Sequence, residues 1–499
     1  MQIRIHFREY SQKCEMNGNE PIASELTNGC KADITDDSVD PHKRCHYHHK
    51  KLTFREKHFK RRASLLTVLM EKPDMRALRS FIISCFILMF IGSFLHDSIA
   101  YKNPLNHLWL VVWNFKQLPE TLLVWTIMAM STLLPYSFLK MWSTTPCKQV
   151  TLRRESPLIA LYALYLLSLF CFPLVFLFKW RLNCACSFII TCENTRIAMK
   201  VHSFIRENLP RAVRMKLAAK DDTTKSLDRF PSIAQLAYFL FCPSFIYRDE
   251  YPRNTSRNWR LVLIYFIEVL LTILCTNLVF IQMIYPRFNS VDYTKATISF
   301  MVDAIFASIL PGLLCLLLLF YGLLHCWLNM FSEMLCFADR QFYVDWWNSR
   351  NMAEYYRNWN LVVHDWLYAY VYRDIAMVIG GKKGLKVAQT AVFLLSAAFH
   401  EYWFGTSLRF FYPVMFVLYF VFGGIFYWVS LFIKSGQAWN IAMFSNLLIG
   451  TGMFVSFYSQ EWYARHRCLP TSTNAYLDFI LPRHWFCSSY IDTIDYQNL

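Results

Sequence analysis

The chain has 499 residues, of which 55% are hydrophobic and 17% aromatic, and its mean hydropathy is +0.25. Charged residues make up only 17% of it, against roughly 25% in a typical soluble domain. This composition excludes an ordinary soluble domain and predicts an all-α polytopic membrane protein. The net charge of +16 is concentrated in residues 43–62. Because this basic run precedes the first apolar segment, it indicates a cytosolic N-terminus. Nucleic-acid binding is the other interpretation of such a patch, but it is not expected of a membrane protein.

Residues 1–70 are polar and poorly patterned, which predicts a disordered, basic, cytosolic N-terminal region. They lack the apolar stretch of a cleavable signal peptide, so the first apolar run is expected to act as an internal anchor. One tract in this region is rich in metal-ligating side chains: His42, Cys45, His46, His48 and His49. Such tracts are compositional signals only, and no metal site is predicted.

From residue 71 onwards, apolar runs alternate with short polar connections, and a spanning helix needs about 20 mainly apolar residues. Nine candidate spans follow in chain order: 77–98, 120–142, 157–178, 181–203, 260–283, 297–325, 386–405, 408–433 and 440–458. The mixed segment 212–258 predicts a loop followed by an interfacial helix. No internal repeat is visible, which weakens the alternative of a lipid transporter built from two inverted halves.

One histidine, His400, ends an apolar run that begins near Val387. An ionisable residue at membrane depth is costly, so it usually has a function or a partner. Histidine is also the side chain best suited to move a proton near neutral pH. Two interpretations therefore remain open at this point: a catalytic base working inside a membrane, or a buried histidine bonded to a neighbouring helix.

A cluster of polar and aromatic residues lies between the sixth and seventh predicted spans. It contains FYVDWWN at 342–348, a Trp359–Asn360 pair and His364–Asp365. The region is too polar to span a membrane and too aromatic for an ordinary loop. An interfacial belt would explain its tryptophans, but not the asparagines and aspartates among them.

These motifs, followed by HEY at 400–402, resemble the membrane-bound O-acyltransferase superfamily. The finer matches favour its sterol O-acyltransferase branch: YRDEYPR (247–253), LPG (310–312), HCWLN (325–329), VVHDWLY (362–368) and YSQEWYAR (458–465). The resemblance implies about nine transmembrane helices around a buried catalytic chamber. It also implies transfer of a long-chain fatty acyl group from acyl-CoA to a sterol 3-hydroxyl, giving steryl ester and CoA. A diacylglycerol or wax-alcohol acyltransferase on the same scaffold is the nearest alternative.

The resemblance also assigns roles to residues of the chamber. His400 takes the position of the catalytic base, and Asn360 that of its partner, which holds the thioester carbonyl or orients the acceptor. Trp359 is expected to form a chamber wall or to brace His400. For His325, a second intramembrane histidine, two roles stay open: binding on the sterol side, or packing and hydrogen bonding within the fold. Glu401 is expected to anchor a helix end.

Coenzyme A carries phosphates, so its entrance needs cations. The resemblance places Arg357, Tyr372 and Ser396 among the residues that bind the acyl-CoA. It also implies a lysine just before the His400 helix, and we assign Lys386, although the matching position falls on Leu385.

The resemblance further implies a disulfide between Cys468 and Cys487 in the lumen of the endoplasmic reticulum. The predicted organisation is then a membrane domain at 71–467 and a luminal tail at 468–499 of a multi-pass protein of that membrane. Acyl-CoA, sterol and membrane lipids are the expected partners. A homodimer or homotetramer is expected, and no cofactor, since acyl-CoA is a substrate.

Overall fold

The computed structural model describes residues 54–147, 149–218 and 229–489. They are overwhelmingly helical. In these ranges there is no β-strand, only two isolated bridges, Arg62 with Asp339 and Arg253 with Phe337. The prediction of an all-α fold is therefore confirmed for the described residues.

Twenty-one α-helices follow one another within the described residues, numbered here in chain order. They are α1 Leu65–Leu69, α2 Pro73–Ala100, α3 Trp109–Phe115, α4 Leu118–Ser131, α5 Leu133–Thr144, α6 Leu152–Lys179, α7 Cys184–Ala218, α8 Ile233–Phe241, α9 Trp259–Val279, α10 Tyr285–Asn289, α11 Ile298–Ala307, α12 Ile309–Leu319, α13 Leu328–Met334, α14 Met352–Trp359, α15 Leu361–Leu367, α16 Arg373–Ile379, α17 Gly381–Leu408, α18 Val414–Phe416, α19 Gly423–Ser430, α20 Gly436–Arg467 and α21 Ala475–Ile480.

Several of these helices continue through short segments of other helical geometry. Four segments are π-helical: Phe280–Ile284, Phe320–Trp327, Tyr368–Tyr372 and Val417–Phe422. Four more are single 3₁₀ turns: Asn106–Leu108, Tyr293–Lys295, Trp346–Asn348 and Arg483–Trp485.

Six helical stretches among the described residues are long and apolar enough to cross a membrane, which supports a multi-pass membrane protein. They are Pro73–Ala100, Asn106–Thr144, Arg153–Lys179, Trp259–Asn289, Ile309–Met334 and Gly436–Arg467. Ile298–Ala307 and Val414–Ser430 are shorter apolar helices. The predicted span at 297–325 is divided at Ser308, where α11 ends and α12 begins.

The long helix α7, which contains most of the predicted span 181–203, is polar and yet central. It packs against α4, α5, α6 and α17, and buries residues such as Asn194 and Lys200. The Lys200 ammonium donates to the backbone carbonyls of Phe239 and Cys242, at 2.5 and 2.6 Å. A buried cation is tolerated only when it is paired in this way, so α7 is a protein-facing helix.

Residues 54–64 fall within the predicted disordered region 1–70, yet they pack against the membrane domain. We call this segment the N-terminal strap. The Arg62 guanidinium binds both carboxylate oxygens of Asp339, at 2.8 and 2.7 Å. Backbone hydrogen bonds join Arg62 to Ala338 and Arg340, and Phe59 packs into the largest core cluster. The remaining residues of the predicted disordered region, 1–53, lie outside the described part of the chain.

Helix α20 lies very close to α11 and α12, and glycines permit that approach. A Cβ on Gly312 would come within 2.7 Å of the Thr451 carbonyl oxygen, and one on Gly452 within 2.7 Å of the Ile305 carbonyl oxygen. Since real Cβ atoms do not approach oxygen so closely, larger residues would force these helices apart. This contact fixes the last long helix against the core that carries the site.

Candidate functional site

His400 lies in the second half of the long helix α17. That helix begins at a sharp turn through Gly380 and Gly381, whose φ angles of 73° and 60° favour glycine. The Nδ1 atom of His400 is 2.7 Å from the Ser396 carbonyl oxygen one turn earlier. Because a carbonyl only accepts, Nδ1 must carry the hydrogen, which leaves Nε2 as the proton-accepting nitrogen.

Two aromatic rings fix the plane of the His400 imidazole. Tyr419 stacks on it at 4.7 Å between ring centroids with an interplanar angle of 19°, and Trp403 lies 4.7 Å away on the same helix. Tyr419 belongs to the π-helical segment Val417–Phe422. Such segments occur frequently at functional sites, and this one brings an aromatic face onto the histidine.

The three residues after His400 attach α17 to three other elements. The buried Glu401 carboxylate accepts from the Phe416 backbone N–H and from the Tyr458 hydroxyl, each at 3.1 Å. The Tyr402 hydroxyl accepts from the Asn194 side chain at 2.8 Å, and Trp403 Nε1 donates to Thr195 at 3.0 Å. Glu401 therefore anchors helix ends, as predicted, and the HEYW run holds His400 in place.

Asn360 lies at the break between α14, which ends at Trp359, and α15, which begins at Leu361. Its backbone is extended, with φ −146° and ψ 92°. Its side-chain oxygen accepts from the Val363 N–H at 3.2 Å, which caps α15. Since that bond occupies the oxygen, the NH₂ group is the part of the amide left to donate to a ligand.

The FYVDWWN motif holds this helix break by its backbone. Val344 N–H donates to the Asn358 carbonyl at 3.0 Å, and Leu361 N–H donates to the Phe342 carbonyl at 2.8 Å. The two bonds flank Asn360 on either side. The motif therefore fixes the position of the asparagine, which the sequence pattern alone did not reveal.

Trp359 packs beside Asn360 among aromatic rings. Its neighbours are Phe320, Trp346 and Tyr355, at 5.1, 4.7 and 6.1 Å. The ring partners of His400 are Trp403 and Tyr419, and the role of Trp359 stays a prediction. A wall built of aromatic residues agrees with its surroundings.

Helix α14 connects, through aromatic contacts, the elements that carry His400, Asn360 and His325. Tyr356 contacts Phe393 of α17 at 5.2 Å, on the helix of His400, whereas Trp359 contacts Phe320 at the start of the π-helical segment that contains His325. His325 is only 4% exposed. The structure thus joins the elements of His400, Asn360 and His325 through one layer of aromatic contacts.

Comparisons with known proteins agree with this arrangement. A model of the membrane-bound O-acyltransferase family matches residues 82–460. Sterol O-acyltransferase 1 of Mus musculus is 38% identical over 434 residues, which are 85% of this chain and 78% of that protein. Sterol O-acyltransferase 2 of Homo sapiens is 38% identical over 435 residues, 87% and 81% of the two chains. The chain belongs to the membrane-bound O-acyltransferase family. The family resemblance read from its motifs is therefore confirmed.

The residues assigned to acyl-CoA in this family member are spread along α14 to α17. Arg357 is exposed, 3.9 Å from the Glu354 carboxylate, and Tyr372 stacks on Tyr368 at 5.7 Å. Ser396 meets His400 through its backbone carbonyl. Lys386 is exposed, but it lies inside α17, because the helix begins at Gly381 and not after the lysines.

Asp365 has two electrostatic partners, the neighbouring His364 and Lys57 of the N-terminal strap. Lys57 Nζ is 2.7 Å from Asp365, whose other oxygen is 3.6 Å from His364 Nδ1. Burial raises the pKa of Asp365, but the nearby His364 and Lys57 outweigh it and hold that pKa below its ordinary value. This geometry supports a structural role for both residues.

No group of three His, Cys, Asp or Glu side chains that could hold a metal ion occurs in residues 54–147, 149–218 and 229–489. The tract around Cys45 lies outside these ranges. The expectation of no metal site therefore remains a prediction for that tract.

The predicted disulfide between Cys468 and Cys487 is present. Beside it, the fully buried Glu461 carboxylate of α20 accepts from Arg465 Nε at 2.5 Å and from His484 Nδ1 at 2.6 Å. It also accepts from the Arg483 backbone N–H at 3.1 Å. The C-terminal tail is thus attached to α20 both covalently and through a buried carboxylate.

Several residues of the site were missed from the sequence. They are Ser64, Asn194, Thr195, Tyr343 as a hydrogen-bonding residue, Tyr419 and Tyr458. Each belongs to a different element from the residue that it contacts. For Tyr343 and Tyr458 a signal existed, because both lie in the family motifs, but spacing alone could not say what they contact.

Proposed function

We propose that this chain is an acyl-CoA:sterol O-acyltransferase that forms steryl esters. The observation that carries the proposal is the hydrogen bond from His400 Nδ1 to the Ser396 carbonyl. It fixes the tautomer in which Nε2 is free to take a proton, in a chain 38% identical to sterol O-acyltransferases.

In the proposed reaction, His400 Nε2 removes the proton of the sterol 3-hydroxyl as that oxygen attacks the thioester carbonyl carbon. A sterol hydroxyl is a weak acid, so a positioned base is needed, and general base catalysis typically contributes about 10²–10⁴-fold. The tetrahedral intermediate then collapses with cleavage of the C–S bond. The proton on His400 passes to the leaving sulfur, giving CoA thiol and steryl ester without a covalent acyl-enzyme or a cofactor.

Asn360 is proposed to stabilise the oxygen of that intermediate. The cap to Val363 occupies its carbonyl and leaves its NH₂ group to donate. A donor aimed at a developing oxyanion contributes about 3 kcal/mol in comparable sites. Trp359 and the rings around it would form a wall of the chamber and exclude water that hydrolyses the thioester.

The acyl-CoA is proposed to enter where the exposed cations of α14 and α17 lie. Arg357 and Lys386 would bind its phosphates, with Lys382 and Lys383 as further cations in the first turn of α17. Tyr372 and Ser396 would line the path of the pantetheine and thioester. The assignments of Arg357, Tyr372 and Ser396 follow the family resemblance, whereas Lys386 lies one residue beyond the matching position, Leu385.

The proposed setting is the membrane of the endoplasmic reticulum, with a cytosolic N-terminus and a luminal tail. The six apolar stretches would make nine spans if three further helices also cross the membrane: α7, α17 and the helix Val414–Ser430. In this count, α11 and α12 form one bent span. An odd number of spans puts the termini on opposite sides, and disulfides persist in the lumen. We further propose a homodimer or homotetramer, as the family suggests.

The proposal is tested by incubating microsomes that contain this protein with labelled long-chain acyl-CoA and three competing acceptors: a sterol, a diacylglycerol and a long-chain alcohol. Label is expected in steryl ester, and a His400→Ala preparation with equal protein content should form none. Label mainly in triacylglycerol or wax ester would transfer the assignment to those acceptors. Absence of any acyl transfer would favour the lipid-transporter alternative.

A further inference from the structure

The imidazole of His325 is surrounded at Nδ1 by three hydrogen-bonding groups. The Tyr343 hydroxyl lies 2.7 Å from Nδ1, the Ser64 hydroxyl 3.2 Å and the Asn329 NH₂ group 3.3 Å. Ser64 and Tyr343 also bond to each other at 3.0 Å. All three residues around this nitrogen are buried, so their hydrogen bonds are not exchanged with bulk water.

The orientation of Asn329 decides which way these bonds run. Its NH₂ group donates to the His325 backbone carbonyl at 2.8 Å, which fixes the amide with nitrogen towards the ring. A donor therefore faces Nδ1, and an N–H on Nδ1 would oppose it. Nδ1 is the accepting nitrogen, and the neutral ring carries its hydrogen on Nε2.

His325 and His400 are consequently opposite tautomers. His400 donates from Nδ1 to Ser396 and presents a lone pair at Nε2, whereas His325 accepts at Nδ1 and presents an N–H at Nε2. The first can remove a proton, and the second can only bind an acceptor atom such as a hydroxyl oxygen. Histidines in these two tautomers have complementary abilities, since one can hold an alcohol oxygen and the other can remove its proton.

We propose that Ser64, Tyr343 and Asn329 are positioning residues that lock His325 as an Nε2–H donor to the oxygen of the acceptor hydroxyl. Since Ser64 is the last residue of the N-terminal strap, that segment then becomes part of the acceptor site. The role depends on the acyl-transfer function proposed above, and it specifies which atom of the alcohol His325 binds.

The strap is well suited to hold Ser64 in place. Arg62, two residues earlier, binds Asp339 through two hydrogen bonds, and the backbone there pairs with Ala338 and Arg340. Tyr343 follows Arg340 by three residues in the sequence. The same stretch of chain thus positions both hydroxyls that face His325 Nδ1.

Steady-state kinetics of purified full-length variants with a sterol and acyl-CoA test the proposal. Tyr343→Phe and Ser64→Ala should each raise the KM for sterol about threefold, the scale of one hydrogen bond, with the KM for acyl-CoA unchanged. The double variant should raise it about tenfold or more, and Ser64→Thr should restore wild-type values. Tyr265→Phe is the matched control, because its ring meets His325 edge-on at 5.8 Å without belonging to the three groups at Nδ1.

Substitution of His325 itself separates a donor from a base or a packing residue. His325→Gln keeps an N–H donor and offers no proton-accepting nitrogen, so it should retain far more activity than His325→Ala and an unchanged pH profile. Equal loss in both variants would overturn the donor role, as would a double Ser64/Tyr343 variant that behaves like Tyr265→Phe. If the wild-type protein esterifies no sterol, the proposed function fails instead.

Discussion

Two histidines of this chain have the same local geometry at different places. His400 and His466 each donate from Nδ1 to the carbonyl one turn earlier, both at 2.7 Å. Only His400 lies at the proposed centre. His400→Ala should abolish ester formation at a normal protein level, because no other base is assigned, whereas His466→Ala should remain active. We would measure acyl transfer per folded protein; a tenth of wild-type activity in His400→Ala would remove it from the base role.

Asn360 combines a helix cap with a proposed oxyanion donor, and aspartate separates the two. Asn and Asp cap helices about equally well, so Asn360→Asp should fold normally. Without the NH₂ donor, turnover should fall by about 10² or more, as in other sites that lose such a donor. Asn360→Ala should lose at least as much turnover.

The matched control is Asn351, which caps α14 by accepting from the Glu354 N–H at 2.9 Å. Asn351→Asp should leave turnover unchanged. A change confined to the KM for acyl-CoA in Asn360→Asp, with kcat intact, would show that Asn360 only binds the substrate.

Tyr419 was not predicted from the sequence, yet its ring stacks on His400. An aromatic stack contributes about 0.5–1.5 kcal/mol beyond burial. Tyr419→Leu should therefore lower kcat by about three- to tenfold, and Tyr419→Phe should retain it, since the ring and not the hydroxyl makes the contact. Phe422→Leu alters an exposed ring in the same π-helical segment and should be neutral. Equal kinetics for the leucine variants at positions 419 and 422 would argue against the stack.

Among the elements, the N-terminal strap differs most from what the sequence indicated. Its composition is basic and lacks apolar periodicity, which is typical of disorder. What orders it is specific pairing: Arg62 with Asp339, Lys57 with Asp365 and Ser64 with His325. Such partners lie some 260 to 310 residues away in sequence, and a local pattern cannot reveal them. By contrast, the apolar helices were predictable, because each carries its own signal of length and hydropathy.

A truncation series separates the strap from the residues before it. Removal of residues 1–53 should leave an active enzyme, since the strap and its contacts remain. Removal of residues 1–65 should abolish most activity, because it deletes Ser64 and leaves Asp339, only 4% exposed, without its cation. Detergent-solubilised thermal stability and acyl transfer are the measurements.

A point substitution in the strap tests the contribution of its ion pair with Asp339 to stability. Arg62→Ala should lower thermal stability, since a hydrogen bond to a charged group contributes about 1.5–3 kcal/mol. Arg61→Ala is the control, because Arg61 makes only an exposed bond to the Arg253 carbonyl. Full activity of the 66–499 fragment would show that the strap is dispensable.

At the scale of the whole molecule, the family motifs predicted the class and the disulfide, which are confirmed, and a catalytic centre, which stays a prediction. They did not predict how the pieces meet. HEY at 400–402 indicated a catalytic histidine, but the attachment of Glu401 to Tyr458 and of Trp403 to Thr195 joins helices far apart in the chain. Hydrogen bonds of this kind form only in the packed fold, so they cannot be predicted from the local pattern of a single sequence.

The C-terminal tail offers a test of how stability and chemistry are divided. Closing a loop with the separation of 19 residues between Cys468 and Cys487 contributes about 3 kcal/mol in the chain-entropy model. Replacing both cysteines by serine should lower the Tm but leave catalysis measurable below it, because Glu461 still holds the tail through Arg465, Arg483 and His484. Glu461→Gln should also lower the Tm, and combining it with the cysteine changes should detach the tail. Thermal unfolding and acyl transfer should be measured in parallel for each of these variants. Loss of activity in the cysteine variant at temperatures where it is still folded would mean that the disulfide takes part in shaping the catalytic chamber.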